Sequence, residues 1–269
     1  MSDFPGREID ITKPSAARLY DLYLGGTHNY PIDRTFAERI KDTCPFAWDM
    51  ARDNRFFLRR AVRFAVENGI RQFVDLGSGV PTVGNVHEVA HEIAADTHVV
   101  YVDNDSEAVV TSQDMLTESA VATAIAADLR QPEIVLDHPD TARLIDFAEP
   151  VGLLIVAVFH FVSPKDEPHA LIRSYLDRLA PGSVVALTHA TVEEATPLAR
   201  TQYQNLEREY GSTSNPVYLR NRAEFTALLD GLEIVDPGVT YATDWRNAEP
   251  VDVHAPGRPC LYAAVGRKP

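Results

Sequence analysis

The stretch FVDLGSGVPTV, residues 73–83, decides how the chain folds. Phe73, Val74 and Leu76 read as a short buried strand, Asp75 closes it, and Gly77 and Gly79 turn the chain into Val86, Val89, Ala90 and Ile93, which recur at helical spacing. Glycine lets such a turn adopt dihedrals other residues avoid and admits a ligand where a Cβ would stand. The helix start beyond it offers free N–H groups and a partial positive charge. An anionic or hydroxylated ligand suits that position, although an isolated Gly-x-Gly also occurs in turns that merely pack.

Downstream of Gly69, strands and helices alternate. Strands are expected near 72–76, 98–102, 122–126, 153–159, 184–188, 233–235 and 261–265, with helices at 83–94, 106–118, 166–179 and 223–229. Several of the strands are continuous apolar runs, the pattern of a sheet covered by helices on both faces. The expected fold class is α/β, with a doubly wound, mostly parallel sheet. Ligands in such sheets bind beyond the carboxyl ends of the strands, which directs attention to the exits. These are Gly77-Ser78-Gly79, Asp103-Asn104-Asp105, Ala127-Asp128-Leu129 and Phe159-His160-Phe161. A carboxylate has only acceptors, so Asp103 suits the two vicinal hydroxyls of a ribose. Asp128 suits an exocyclic adenine amine, with the Leu129 amide as a donor to the ring. Successive acidic exits after a glycine turn describe an adenosine site.

Upstream, residues 1–14 read as a loose arm. Ser15 is placed to cap a helix bearing Leu19, Leu22 and Tyr23 that stops at Gly25-Gly26, and Asp33 to cap a second one bearing Phe36, Ala37 and Ile40. A longer helix is expected from Arg52 to Glu67, with Arg52, Arg55, Arg59 and Arg63 on one side. Such a stripe is usually a solvated face, but Arg55 lies nearest the N-terminal helices. The expected division is an arm and helical lid over 1–50 and a larger domain over 51–269.

With 25 Lys and Arg against 39 Asp and Glu, the net charge of −14 disfavours a nucleic-acid partner. The two cysteines, Cys44 and Cys260, stand far apart without ligand spacing, which argues against zinc and fits a reducing, cytoplasmic setting. The most apolar run, 151–162, is too short for the ~20 residues of a membrane span. No secretory signal is visible in MSDFPGREID.

A dinucleotide fingerprint requires Gly-x-Gly-x-x-Gly, and Thr82 stands at the third glycine position behind Pro81. A nicotinamide-dependent oxidoreductase is thereby the weaker reading. The chain resembles the class I S-adenosylmethionine (SAM)-dependent methyltransferases, and more closely an uncharacterised family of them formerly known as a domain of unknown function. The residues that carry this are RLYDLYLGG at 18–26 with Asn29 and Asp33, NRFFLRRAV at 54–62, DLGSGVPT at 75–82 with NVHE at 85–88, VYVDND at 100–105 and ADLR at 127–130. The resemblance implies a Rossmann-like methyltransferase sheet of seven strands with the last antiparallel, SAM at the strand exits, and methyl transfer to an acceptor it does not name.

On this reading the N-terminal helices form a lid that brings Tyr23, Gly26 and Asn29 to the cofactor. The full set expected to bind it adds Arg55, Asp75, Gly77, Ser78, Gly79, Asp103, Asn104, Asp128, Leu129, Val158 and Phe159. Tyr20, Tyr23, Tyr30 and Phe159 offer faces to a sulfonium cation. His160 is the candidate catalytic base. The segment 193–221, with Tyr203, Tyr210 and Tyr218, is where acceptor contacts are expected. No Asn-Pro-Pro-aromatic motif stands at the fourth exit, which with the acidic charge argues against nucleic acid, and a lidded pocket favours a small-molecule acceptor, with protein carboxylates or side chains as the alternative. A SAM-binding protein without turnover is the other alternative.

Overall fold

The computed structural model describes residues 11–80, 84–211, 213 and 215–269. Pro81 and Thr82, with the helix start expected at Val83 and most of the N-terminal arm, lie outside them. In chain order the elements are α1 (Ala16–Tyr23), α2 (Pro31–Thr43), α3 (Ala47–Glu67), β1 (Gln72–Leu76), α4 (Val86–His91), β2 (His98–Asp103), α5 (Ser106–Met115), β3 (Ala122–Ala126), α6 (Pro132–Leu136), α7 (Pro139–Leu144), β4 (Gly152–Ile155), α8 (Pro168–Arg178), β5 (Val184–Ala190), α9 (Pro197–Tyr210), α10 (Arg222–Ala227), β6 (Glu233–Ile234), β7 (Thr240–Tyr241) and β8 (Leu261–Arg267).

The strands form one sheet in the order β3-β2-β1-β4-β5-β8-β6, with the two-residue β7 pairing off β8. Pairing from β3 through β5 is parallel, and β8 runs antiparallel to β5 from Val184↔Arg267 to Ala190↔Leu261. This is the expected mostly parallel, doubly wound sheet, with the short β7 added. Neighbouring residues of a strand point to opposite faces, and both faces are covered. Val74, Val100, Val102 and Leu153 enter one core while Phe73, Val99, Tyr101 and Leu154 enter the other. The uninterrupted apolar runs in the sequence are two half-patterns interleaved.

The fourth strand is shorter than its apolar run suggests. It ends at Ile155, and Phe159–Phe161 form a 3-10 turn. The break lies at Ala157, whose φ of +59° is left-handed, and its N–H donates to Thr188 Oγ1 at 2.9 Å. An alanine held there stores strain of about 1–2 kcal/mol, of the kind that persists where the surroundings over-determine it.

Ser15 caps α1 as expected, but α2 begins at Pro31, and Asp33 sits inside its first turn, accepting from the Tyr30 N–H at 2.9 Å. The long helix starts at Ala47, five residues before Arg52. A third core joins Leu19, Phe36, Ala37 and Ile40 to Tyr203, Leu206 and Tyr210 of α9. The N-terminal helices therefore bury their apolar faces largely on a helix inserted after β5. Both cysteines are buried there with free thiols. Among the described residues no helix is long and apolar enough to cross a membrane.

Candidate cofactor and active site

The strand exits open into one cavity of about 750 Å³, within the range that holds a cofactor and a small partner. Its floor is the glycine turn. Gly77 has φ +68°, and a Cβ there would stand 2.2 Å from Val158 Cγ2. Gly79, at φ +67°, has open space where its Cβ would be, and its N–H donates to Asp103 Oδ2 at 2.7 Å. The Asp105 N–H donates to Asp103 Oδ1 at 2.8 Å. Two backbone amides thus aim the Asp103 carboxylate while leaving each oxygen a further lone pair. Burial nevertheless pushes Asp103 up to about 6, against the pull of those amides.

Asp75, 6 % exposed, lies deeper. Burial pushes it up to about 7, opposed by the nearby Arg55 guanidinium and reinforced by Asp103. Arg55 lies over the Tyr20 ring at 5.6 Å, and Asn54 Nδ2 donates to the Tyr20 hydroxyl at 3.0 Å. Asn54 Oδ1, Arg55 Nε and His160 Nδ1 are buried without hydrogen-bond partners, all on residues that line the cavity. Orphaned polar atoms of this kind cost free energy unless a ligand meets them. They fit a polar cofactor.

Of the residues expected from sequence, Tyr23, Arg55, Asp75, Gly77, Ser78, Gly79, Asp103, Asn104, Asp128, Leu129, Val158 and His160 line this cavity, as do Tyr203, Tyr210 and Tyr218. Gly26 and Asn29 do not. A Cβ at Gly26 would fall 1.8 Å from Asp21 Oδ1, and Asn29 Nδ2 donates to the Gly26 carbonyl at 3.1 Å, so the pair closes the α1–α2 turn around Asp21. The Phe159 side chain is sealed in the core, and Tyr30 turns to the Arg18 guanidinium at 5.3 Å. Asp128 reaches the cavity, but Arg130 grips it with Nε 2.9 Å from Oδ1 and Nη2 2.6 Å from Oδ2, which holds its carboxyl below the usual range despite partial burial.

His160 lines the same cavity. Burial, with Arg220 nearby, lowers it to about 4, so the imidazole is neutral at physiological pH. Behind it Arg220 Nη1 donates to the Phe159 carbonyl at 3.3 Å and Nη2 to that of Val162 at 3.1 Å, and Arg220 also contacts His189 Nε2. His189 Nδ1 lies 2.9 Å from the Ala190 carbonyl. The carbonyl must accept there, which leaves Nε2 to accept from Arg220. The Tyr218 N–H donates to the His160 carbonyl at 2.7 Å and ties the 215–218 segment to the same wall.

Sequence reasoning missed the rim. Lys13 to Arg18 line the cavity, and Ser15 Oγ donates to Asp105 Oδ2 at 2.6 Å. Arg18, 2 % exposed, pairs with the fully buried Asp33 at 2.7 Å. The Arg-to-Asp spacing across α1 and α2 was visible in sequence, but only the fold brings it to the β2 exit.

A glycine turn, acidic strand exits and a helical cover on a mostly parallel sheet define the SAM-dependent methyltransferase class. The model of the S-adenosyl methyltransferase family matches residues 2–269. The chain belongs to that family, and its cofactor is S-adenosylmethionine. It is 38 % identical to a Thermobifida fusca protein described as a candidate methyltransferase, over 99 % of each chain with a TM-score of 0.91. It is 34 % identical to a DUF574 family protein from Streptomyces avermitilis, over 97 % of this chain and 100 % of that one, again with a TM-score of 0.91. The methyltransferase SibL, 17 % identical over 96 % of this chain and 64 % of its own with a TM-score of 0.52, shares the fold alone. No curated protein matches the chain.

Proposed function

We propose that the chain transfers the methyl group of SAM to a small molecule, with the ribose on Asp103 and the reacting centre between the glycine turn and His160. The observation that carries this is the Asp103 carboxylate, aimed by two backbone amides at the rim of a cavity whose inner wall holds unpartnered polar atoms. Bound there, SAM supplies an electrophilic methyl on a sulfonium, a cation that leaves as a neutral thioether. The protein's task is to position the acceptor and exclude water. Arg55 and Asp75 take the carboxylate and ammonium of the methionyl end. Tyr20 and Tyr23 offer aromatic faces beside the charge. Residues 1–50 act as the lid and 51–269 as the body. The net charge of −14 and the covered cavity support a small acceptor over nucleic acid. Two free buried thiols support a reducing, cytoplasmic setting.

Asp75 provides a pH test. Its folded pKa of about 7 lies above the ordinary carboxylate value, so the native state keeps a proton that the unfolded state has lost. Stability therefore falls as pH rises from about 4 to 7. Asp75→Asn removes that cost: its gain in melting temperature grows from pH 5 to pH 8. Wild-type affinity for S-adenosylhomocysteine falls as pH drops below 7, because an ammonium requires ionised Asp75, and in Asp75→Asn that component is absent. Calorimetry at pH 6 and 8 checks both. An unchanged pH dependence in the variant removes Asp75 from the ligand.

We infer that His160 receives the acceptor's proton, although burial and Arg220 lower it to about 4, below the near-neutral value expected of a histidine at that strand exit, and make it a weaker base. A group neutral down to about pH 4 gives turnover without an inflection near 6.5. His160→Gln lowers kcat by ~10² or more with S-adenosylhomocysteine affinity kept. The assay is labelled-methyl transfer to an acceptor captured from metabolite extracts. A wild-type inflection near 6.5, or an unchanged kcat, removes the base role.

A further inference from the structure

The cavity is electrically divided. Among the described residues, every charged side chain that lines it lies on residues 13–18, at Arg55, at the exits of β1 to β3, or at Asp166. The rest of the wall includes Tyr23 of α1, Phe161, Tyr203, Leu206 and Tyr210 of α9, and Val217 and Tyr218, none of them carrying a carboxylate, ammonium or guanidinium group. Tyr203 and Tyr210 are deeply buried, and burial pushes both phenols above their ordinary value, Tyr210 to about 12. Phe161 and Tyr210 present near-parallel rings, 22° apart with centroids at 6.4 Å, and Tyr23 sits against Trp48 at 4.5 Å. The Tyr23 and Tyr210 hydroxyls stand 3.4 Å apart.

An ionic acceptor entering this half would lose its hydration and, among the described residues, meet no charged side chain in the lining, because Arg220 behind His160 turns its Nη groups to the Phe159 and Val162 carbonyls; the penalty is several kcal/mol. A flat ring system gains area against the aromatic walls, and the tyrosine hydroxyls can meet one or two neutral polar substituents. At the border of the two halves stands the imidazole of His160, whose Nδ1 is buried without a partner. A hydroxyl acceptor must shed a proton as it is methylated, whereas a neutral amine already presents a lone pair. A neutral imidazole on a lining residue can take that proton, which matches the hydroxyl.

We propose that the uncharged half, between α9, Phe161 and residues 215–218, is the acceptor site and takes a neutral aromatic compound bearing a hydroxyl. The inference rests on the reading of the other half as the SAM site. In the reaction the acceptor oxygen forms a bond to the methyl carbon as the carbon–sulfur bond breaks. That bond's electron pair stays on sulfur, and the hydroxyl proton passes to the neutral imidazole of His160.

The test uses the full-length chain saturated with S-adenosylhomocysteine and titrated with 2-naphthol and 2-naphthoate, which share a ring system and differ in charge. The account expects 2-naphthol to bind at least 10-fold more tightly. Val217→Asp, which puts a carboxylate into the wall, weakens 2-naphthol 10-fold or more while S-adenosylhomocysteine affinity is kept. Should circular dichroism show that Val217→Asp is unfolded, Leu206→Gln replaces it with the same expected direction. Equal or tighter binding of 2-naphthoate, no binding of either probe, or unaltered naphthol affinity in the folded variant overturns the proposal with the cofactor site intact. Failure of S-adenosylhomocysteine itself to bind overturns the cofactor reading, and this inference with it.

Discussion

Asp103→Ala is expected to weaken S-adenosylhomocysteine binding by on the order of 10² or more, with the fold retained. Hydrogen bonds to a charged group contribute roughly 1.5–3 kcal/mol each, and this carboxylate has a lone pair to offer each ribose hydroxyl. The two amides now bonded to Asp103, those of Gly79 and Asp105, lose their acceptor in the variant, so the glycine turn loosens as well. The same burial that raises Asp103 to about 6 makes its removal tolerable to the apo fold. Asp103→Asn keeps the shape but replaces an acceptor by a donor, and falls between wild type and alanine. Calorimetric titration of the three proteins, with thermal melts as the control for folding, reads the series.

Arg18→Met is the second large effect, and it acts on α1 and α2. The Arg18–Asp33 pair is almost wholly buried, and Asp33 also accepts from the backbone N–H groups of Ser15 at 3.2 Å and Tyr30 at 2.9 Å. Breaking such a pair from one side leaves an uncompensated charge and costs about 3–5 kcal/mol. The loss falls on α1 and α2, which contact α9, α3 through Tyr20, and the β2 exit through Ser15 and Asp105. Amide exchange in these helices should accelerate by on the order of 10² to 10³ while β1 to β5 stay protected. S-adenosylhomocysteine affinity falls with it, because residues 13–18 line the cavity. Adding Asp33→Asn to Arg18→Met removes the stranded charge and recovers part of the protection. Unchanged exchange in α1 contradicts the latch.

The sheet was legible because the physics that builds it is local. Val99 to Val102 alternate between two cores, so a strand covered on both sides must read as an unbroken apolar run. Gly77 and Gly79 were legible for a similar reason, since the turn requires positive φ at both. The end of β4 was not, because nothing in an alanine announces that Ala157 is left-handed. The helix α9 left a signal at residues 203, 206 and 210, spaced by three and four, but its apolar face meets α2 rather than the sheet. Gly26 and Asn29 are not among the residues lining the cavity. Their spacing suggests a ligand loop, and the fold spends them on closing a turn around Asp21. The Asp128–Arg130 grip belongs to the same category, because a carboxylate at a strand exit can be met by its own chain first. The unpartnered atoms of Asn54 and Arg55 lie on neighbouring residues of α3, and only the tertiary fold brings His160 to the same cavity.

The most direct test of the placement of the cofactor is a cycle of two ligands and two proteins. S-adenosylhomocysteine and its 2′,3′-dideoxy analogue are titrated into wild type and Asp103→Ala by calorimetry. The account predicts that wild type prefers S-adenosylhomocysteine by on the order of 10², and that this preference shrinks to a few-fold at most in the variant, because the carboxylate and the ribose hydroxyls are each other's partners. Equal losses for both ligands on mutation, or a folded Asp103→Ala that binds S-adenosylhomocysteine as tightly as wild type, would contradict it.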